Sequence, residues 1–281
     1  MRVVVPILAA LLLVASLAAP AAANSEHARH YYLSLGDSLA AGVQPIGDAD
    51  DLYRTDEGYA EQLLAIARQS DRKLSLQKLG CPGETTTSLR FGGICDYPHG
   101  SQLDEAVAFL KGHADRVAFI TIDIGPNDFP CNSMECAPQG IAAVSANLPV
   151  ILQTLREAIG PGVPIVGMTI YNPLLAAWLM GPEGQLFARG PATDTMGQLN
   201  ALFTGLYAAS NVPVADVAGA FASTDFETMV SVPGYGQLPI SVARVCAWTW
   251  ACTPPPLGPD NHANAAGYGV IARAFAAVLG L

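Results

Sequence analysis

Five short runs, apolar throughout or alternating, punctuate the chain: His30 to Leu35, Lys73 to Leu79, Val117 to Ile124, Pro164 to Ile170 and Val212 to Val217. Their length suits strands, and the mostly continuous apolar character suits burial on both faces of a sheet. Helical spacing fills the intervals, over Gly58 to Gln69, Gln102 to Lys111, Ile141 to Ile159 and Thr193 to Ala209. A last helical pattern runs from Asn264 to Leu279. Strand and helix in alternation predict an α/β fold of βα units around a parallel sheet. Pro149 falls inside the third helix, where its missing N–H and its ring predict a kink or a split.

Two regions depart from this rhythm. Tyr171 to Pro191 holds an apolar block, Leu174 to Met180, between Pro173 and Gly181-Pro182. It reads either as a lid or acyl-pocket wall at the carboxyl end of a strand, or as a short helix packed on the core. Met229 to Pro259 is rich in Pro, Gly and aromatic residues and contains Cys246 and Cys252. Its expected task is to hold the segment that follows it rigid.

The beginning of the chain changes the picture of where it works. Arg2, an apolar stretch from Val3 to Ala19, and the small residues Ala21-Ala22-Ala23 have the form of an export signal with its cleavage site. Residues 1–23 are therefore expected to be a signal peptide, leaving residues 24–281 as a single secreted domain without stable membrane insertion. The whole chain carries 14 basic and 24 acidic residues, a formal net charge of -10, with no cluster of Lys or Arg. Nucleic acid and anionic lipid surfaces are repelled by such a chain.

All six cysteines, Cys81, Cys95, Cys131, Cys136, Cys246 and Cys252, lie beyond the leader, and an even count in an exported chain points to disulfides. Many pairings are open to six cysteines. The sequential scheme, Cys81 with Cys95, Cys131 with Cys136 and Cys246 with Cys252, is the most economical because it closes the shortest loops. No C-x-x-C pair and no H-E-x-x-H helix is present, which argues against zinc.

Candidate chemistry gathers at the ends of strands. Gly36-Asp37-Ser38-Leu39 places a serine hydroxyl where the first strand turns into a loop, and Gly36 permits close approach of the backbone. Ala40 occupies the place of the second glycine of a G-x-S-x-G elbow, so the usual α/β-hydrolase motif is excluded. Gly125-Pro126-Asn127-Asp128 follows the third strand, and Asp260-Asn261-His262 stands near the C-terminus. A nucleophile, an oxyanion donor and a base with an acid beside it are the parts of an acyl-transfer site. His262 alone of five histidines has an acid two residues earlier; His27, His30, His99 and His113 read as surface. Asp37 and Asp128 read as acceptors of N–H groups in their own loops. Asp123, inside an apolar strand, must be hydrogen-bonded or paired if it is buried.

These blocks, together with Gly80 in Leu79-Gly80-Cys81-Pro82-Gly83-Glu84-Thr85 and with His262 ahead of Ala265-Ala266-Gly267-Tyr268, resemble the four signature blocks of the SGNH (GDSL) hydrolase superfamily. Order and spacing match across residues 24–281, and the three short cystine loops resemble those of secreted actinobacterial esterases and lipases. The resemblance implies a three-layer α/β/α sandwich with a central parallel sheet, the flavodoxin-like SGNH fold. It implies Ser38 as nucleophile and His262 as general base. The N–H groups of Ser38 and Gly80 and the amide of Asn127 would form the oxyanion hole. In the commonest pattern of that superfamily the acid stands three residues before the histidine, which here is Pro259; Asp260, two before, is the expected third member, with a backbone carbonyl as its rival. Ala263 stands where many relatives have proline.

The function so implied is secreted hydrolysis of carboxylic esters through an acyl-enzyme. Acyl transfer or deacetylation on glycan or lipid esters uses the same residues, and a binding protein with a dead site is the alternative of another class. The expected partner is a small-molecule or lipid ester, no cofactor is called for, and a monomer is the simplest state. Leu174 to Met180, Trp248 and Trp250 suggest apolar walls for an acyl chain, although aromatic residues are also good core.

Overall fold

The structure, a computed structural model, describes residues 30–46, 53–129 and 137–281. The expected signal peptide, His27, Cys131 and Cys136 lie outside the described residues. In chain order the elements are β1 (Tyr31–Gly36), α1 (Ser38–Ala41), α2 (Tyr59–Ala67), β2 (Ser75–Lys78), α3 (Thr86–Phe91), α4 (Gln102–His113), β3 (Val117–Asp123) and α5 (Ala137–Ile159). They continue with β4 (Ile165–Met168), α6 (Pro182–Phe187), α7 (Thr193–Ala209), β5 (Val214–Ala215), α8 (Val217–Ala220), β6 (Met229–Val232), β7 (Gly236–Pro239), α9 (Ile240–Trp248) and α10 (Ala265–Leu279).

Five strands form one parallel sheet in the order β2-β1-β3-β4-β5. Helices α2 and α10 pack together, with Tyr59 stacked on Phe275 at 5.1 Å between ring centroids. Helix α5 packs between α4 and α7. The sheet is thus covered by helices, as the alternation of patterns required. β1 shows why: every residue after Tyr31 is buried, and Leu33, Leu35, Ile120 and Ile122 make the centre of the core. A strand with both faces covered cannot alternate with polar residues, which is why these segments read as continuous apolar runs.

Chain order reverses between β1 and β3: the next strand in sequence after β1 lies to one side, and β3 lies on the other. At such a switch point the loops leaving the two strands splay apart and open a crevice at their carboxyl ends. The loop after β1 carries Ser38, and the loop after β3 carries Asn127.

Two expectations, for Pro149 and for His113, need correction, and the block Leu174 to Met180 takes the second of its two readings, a short helix packed on the core. Helix α5 is neither split nor interrupted at Pro149: it runs unbroken from Ala137 to Ile159. Val144, Leu148, Ile151, Leu152 and Leu155 are all buried along it, so tertiary packing outweighs the one hydrogen bond the proline removes. The block Leu174 to Met180 is a short 3-10 helix, Pro173–Met180, with Leu175 buried while Leu179 and Met180 are exposed. His113 is not a free surface group: its Nδ1 bonds to Phe109 O at 2.9 Å, and its ring packs on Tyr31 and Phe109.

Within Met229 to Pro259 lie the hairpin β6/β7, helix α9 and a tight loop closed by the disulfide Cys246–Cys252. Cys81–Cys95 is the other disulfide among the described residues. Two of the three expected pairs are therefore present. Cys81 and Cys95 are separated by 14 residues and Cys246 and Cys252 by 6. Loop-closure entropy then predicts that the Cys81→Ser/Cys95→Ser variant loses about 3 kcal/mol and the Cys246→Ser/Cys252→Ser variant about 2 kcal/mol. Urea unfolding of the two variants beside the oxidised parent checks both the sizes and their order.

Candidate active site

Ser38 is the first residue of α1, and the turn that delivers it is made by Gly36. That glycine has φ +138°, and a Cβ on it would stand 2.0 Å from the carbonyl oxygen of Asp123 on the adjacent strand. Only glycine allows β1 to run so close to β3 and still turn out of the sheet. Asp37 caps the turn, its carboxylate accepting from Leu39 N at 2.9 Å. The Ser38 hydroxyl is half-buried, and its one contact with Asp37 is long, at 3.5 Å.

Gly80 follows β2. The N–H of Leu79 is bound to Ser34 O at 2.9 Å and that of Cys81 to Gly36 O at 3.1 Å, whereas the N–H of Gly80 between them has no acceptor among the described residues. A Cβ on Gly80 would lie 2.5 Å from Ala41 N and 2.6 Å from Ala40 C, so this glycine rests on the backbone of α1. Asn127 follows β3. Its side-chain amide gives one hydrogen to Glu84 O at 3.0 Å, which leaves the second free. The structure thus puts Ser38, Gly80 and Asn127 at the carboxyl ends of three neighbouring strands.

Asn127 is fixed from behind as well. Asp128 accepts from Thr86 N at 2.8 Å and from Thr86 Oγ1 at 2.6 Å. Its role is structural, as expected, but its partner is the first turn of α3 rather than its own loop. Burial pushes its carboxyl above the usual range, against the Thr86 bonds that favour the charged form. Gly125, with φ +122°, lies against Phe203 of α7, which would meet a Cβ there at 2.5 Å.

His262 arrives from a different part of the fold. Its carbonyl accepts from Trp250 N at 3.0 Å, Thr249 and Ala263 form an antiparallel bridge, and Tyr171 donates to Asn261 O at 2.8 Å. The segments on either side of His262 reach back to the residues after α1: Trp250 Nε1 contacts Gln44 Oε1 at 3.4 Å, and Tyr268 of α10 donates to Val43 O at 2.7 Å. Val43 N in turn binds Ser38 O at 3.0 Å. His262 and Ser38 are therefore tied to a common strip of chain, although no hydrogen bond joins their side chains.

Asp260 is directly engaged. Its Oδ1 accepts from the backbone N–H of His262 at 2.8 Å and from His262 Nδ1 at 2.8 Å. Partial burial would raise its carboxyl, but the two bonds from His262 and the attraction of the imidazole prevail and hold it below the usual value. The two-residue spacing works because a single oxygen serves both donors. With Nδ1–H given to Asp260, the other ring nitrogen, Nε2, is the basic one.

Sequence reasoning missed the group that binds these loops together. Gln102, the first residue of α4, is fully buried. Its Oε1 accepts from Gly36 N at 2.7 Å, and the two hydrogens of its Nε2 are shared among Gly36 O at 3.0 Å, Glu84 Oε2 at 3.0 Å and Tyr97 Oη at 3.1 Å. Tyr97 donates to Leu79 O at 2.6 Å, one residue before Gly80. One amide thus connects the loops of Ser38, Gly80 and Asn127. Burial raises the Glu84 carboxyl, with bonds from Ser88 and Gln102 opposing. A polar residue opening a helix is an ordinary sight in a sequence, and nothing local marks Gln102 as buried.

Trp248 makes an edge contact with Phe221 at 5.1 Å and Tyr171 stacks on the same ring at 4.7 Å, so Trp248 belongs to the packing beneath the histidine loop. No helix among the described residues is long and apolar enough to cross a membrane.

No curated protein sequence matches the chain. Solved structures share its fold. The acetylxylan esterase Axe2 of Geobacillus stearothermophilus superposes with a TM-score of 0.55 at 16% identity, over 90% of this chain and 94% of the esterase. A protein described as a GDSL-like lipase, from Parabacteroides merdae, does so with a TM-score of 0.53 at 15% identity, over 89% and 95%. The model of the GDSL-like lipase/acylhydrolase family matches residues 34–270, a span that takes in the loops of Ser38, Gly80, Asn127 and His262, and the chain belongs to that family of carboxylic ester hydrolases.

Proposed function

We propose that the protein is a secreted serine esterase in which Ser38 is the nucleophile, His262 the general base, Asp260 the group that orients it, and the N–H groups of Ser38 and Gly80 with Asn127 Nδ2 the oxyanion hole. The observation that carries the reading is the bond from His262 Nδ1 to Asp260 Oδ1 at 2.8 Å, which fixes the tautomer a base requires. Free donors at the ends of β1, β2 and β3 support the rest.

In the reaction His262 Nε2 takes the proton of the Ser38 hydroxyl while Oγ forms a bond to the ester carbonyl carbon. The carbonyl π pair moves onto oxygen and is held by the three donors. When the tetrahedral intermediate collapses, the bond to the alcohol oxygen breaks and His262 returns the proton to that leaving group. Water then repeats the sequence on the acyl-enzyme, releasing the acid and restoring Ser38. Asp260 stays ionised throughout, stabilising the imidazolium as it forms. No step calls on a metal or a cofactor.

Export is proposed from the leader at residues 1–23, and the pairing of Cys131 with Cys136 as the third disulfide accords with an oxidising destination. The shared fold of an acetylxylan esterase makes acetyl esters of carbohydrate a substrate class to set beside lipid and simple alkyl esters. Transfer of the acyl group to a glycan or lipid hydroxyl in place of water uses the same acyl-enzyme.

A series of p-nitrophenyl esters from acetyl to long acyl, run beside acetylated xylooligosaccharides, sizes the acyl site and tests for carbohydrate esters. Ser38→Ala is expected to lower kcat by about three orders of magnitude or more in a folded protein, and unchanged turnover rejects the assignment. Asn127→Ala is expected to lower kcat by about 100-fold to 1,000-fold, the usual effect of removing one oxyanion donor. Gln102→Leu leaves the buried N–H of Gly36 without a partner, at about 1 to 3 kcal/mol, and takes from Gly36 O one of its two donors while Cys81 N stays, so urea unfolding should register a loss of about 2 kcal/mol.

A further inference from the structure

Under the nucleophile lie two carboxyl groups that the reaction just described does not use. Asp37, immediately before Ser38, is 3% exposed, and Asp123, the last residue of β3, is 1% exposed. They are held against each other by the backbone, since Asp37 N donates to Asp123 O at 3.1 Å and Gly36 pairs in register with Asp123. Donors to the pair are few. Leu39 N and the distant Ser38 hydroxyl face Asp37 Oδ1, and Tyr59 Oη on α2 donates to Asp123 Oδ1. Asp123 Oδ2 is buried with no hydrogen-bond partner.

The titratable neighbours supply no lasting positive charge. Tyr59 of α2, Tyr32 of β1, Tyr207 of α7, Tyr268 of α10 and Tyr171 after β4 surround the pair, and burial raises each phenol so that it stays neutral. Glu84 faces Asp37 as a further acid. A charge on Asp37 is favoured first by the bond from Leu39 N, then by Asp123, by the His262 imidazole and by Ser38, while Lys78 of β2 is bound to Glu61. Two adjacent carboxylates cannot both ionise in such surroundings.

We infer that Asp37 and Asp123 share one proton, which Asp123 donates through Oδ2 to the Asp37 carboxylate, and that Asp123 is thereby a positioning residue for Ser38. The shared proton gives the orphan oxygen its partner and leaves a single negative charge on Asp37. That charge is stabilised by Leu39 N and aimed at the start of α1. Burial raises both carboxyls, Asp123 the more strongly because the neighbouring Asp37 charge adds to it, so Asp123 is the proton's seat. This inference rests on Ser38 being the nucleophile only for its catalytic consequence; the proton itself does not depend on that reading.

The linkage has a definite sign. Asp123 binds its proton more tightly folded than unfolded, so its stabilisation is complete below about pH 4, the ordinary Asp value, and diminishes as pH rises toward the raised folded value. Asp123→Asn keeps a donor but has no proton to lose. Relative to Asp123→Asn, the parent's unfolding constant should therefore rise by about tenfold per pH unit above pH 4.

Infrared spectroscopy of the oxidised, full-length protein tests the proposal directly. A neutral carboxyl C=O band should persist at neutral pH in the parent and in Ser38→Ala, and vanish in Asp123→Asn. Absence of the band overturns the inference, as does its survival in Asp123→Asn, which would assign the proton to Glu84 or Asp128. The catalytic arm compares kcat: Asp123→Asn should stay within about threefold of the parent, while Asp123→Leu, which leaves Asp37 without its donor, should fall by about tenfold with KM little changed. Equal kcat in the parent and Asp123→Leu rejects the positioning role. If Asp123→Leu does not fold, the band and the pH slope of Asp123→Asn decide. Loss of esterase activity in neither the parent nor Ser38→Ala, with the band behaving as expected, would sink the nucleophile assignment and leave the proton pair standing.

Discussion

Gly36 has no room for a side chain, and most of the site follows from that. The last residue of β1 lies so close to β3 that a single added carbon would collide with the carbonyl of Asp123. The backbone can approach that far only with positive φ, and it then turns sharply enough to set Ser38 at the mouth of the crevice. The approach also carries a cost, because it buries the polar groups of Gly36 between two strands at a place where the ladder is ending. Gln102 resolves it with one amide, acting as a short piece of strand would.

The same closeness explains the arrangement around it. Asp37 and Asp123 are neighbours because Gly36 and Asp123 share a register position. Cys81 N reaches Gly36 O, which draws the loop after β2 alongside and leaves the Gly80 N–H to point elsewhere. Gln102 continues to Glu84 and Tyr97, whose bonds to Asn127 and Leu79 hold the other two proposed oxyanion donors. A rigid set of donors stabilises a developing charge better than mobile ones, because it does not have to reorganise when the charge appears. The proposed base, His262, stands on a separate loop braced by Trp250, Tyr171 and a disulfide.

Much of this was legible in the chain. The five strands lie where their apolar runs are, and α7 begins and ends at the expected residues, Thr193 and Ala209. Runs buried on both faces leave an unmistakable pattern, and strand-end Gly, Ser, Asn and His residues interrupt it visibly. What the pattern hid was non-local. Gln102 acts on a residue 66 positions away, and Asp128 serves Thr86, 42 positions away, so no window of sequence contains both partners. Pro149 misled for a related reason: local chemistry says break, and the core packed along α5 overrides it. Asp123 was visible as an acid in an apolar strand, but its neighbour Asp37 became apparent only with the register of β1 against β3.

On the proposed mechanism, acyl groups pass covalently through the hydroxyl of Ser38. Labelling the oxidised protein with a fluorophosphonate and locating the adduct by peptide mass spectrometry tests it most directly. One adduct per chain is expected, on Ser38, its formation slowed by a competing ester. Labelling at another residue, or undiminished ester hydrolysis by a protein that takes up no label, would contradict it.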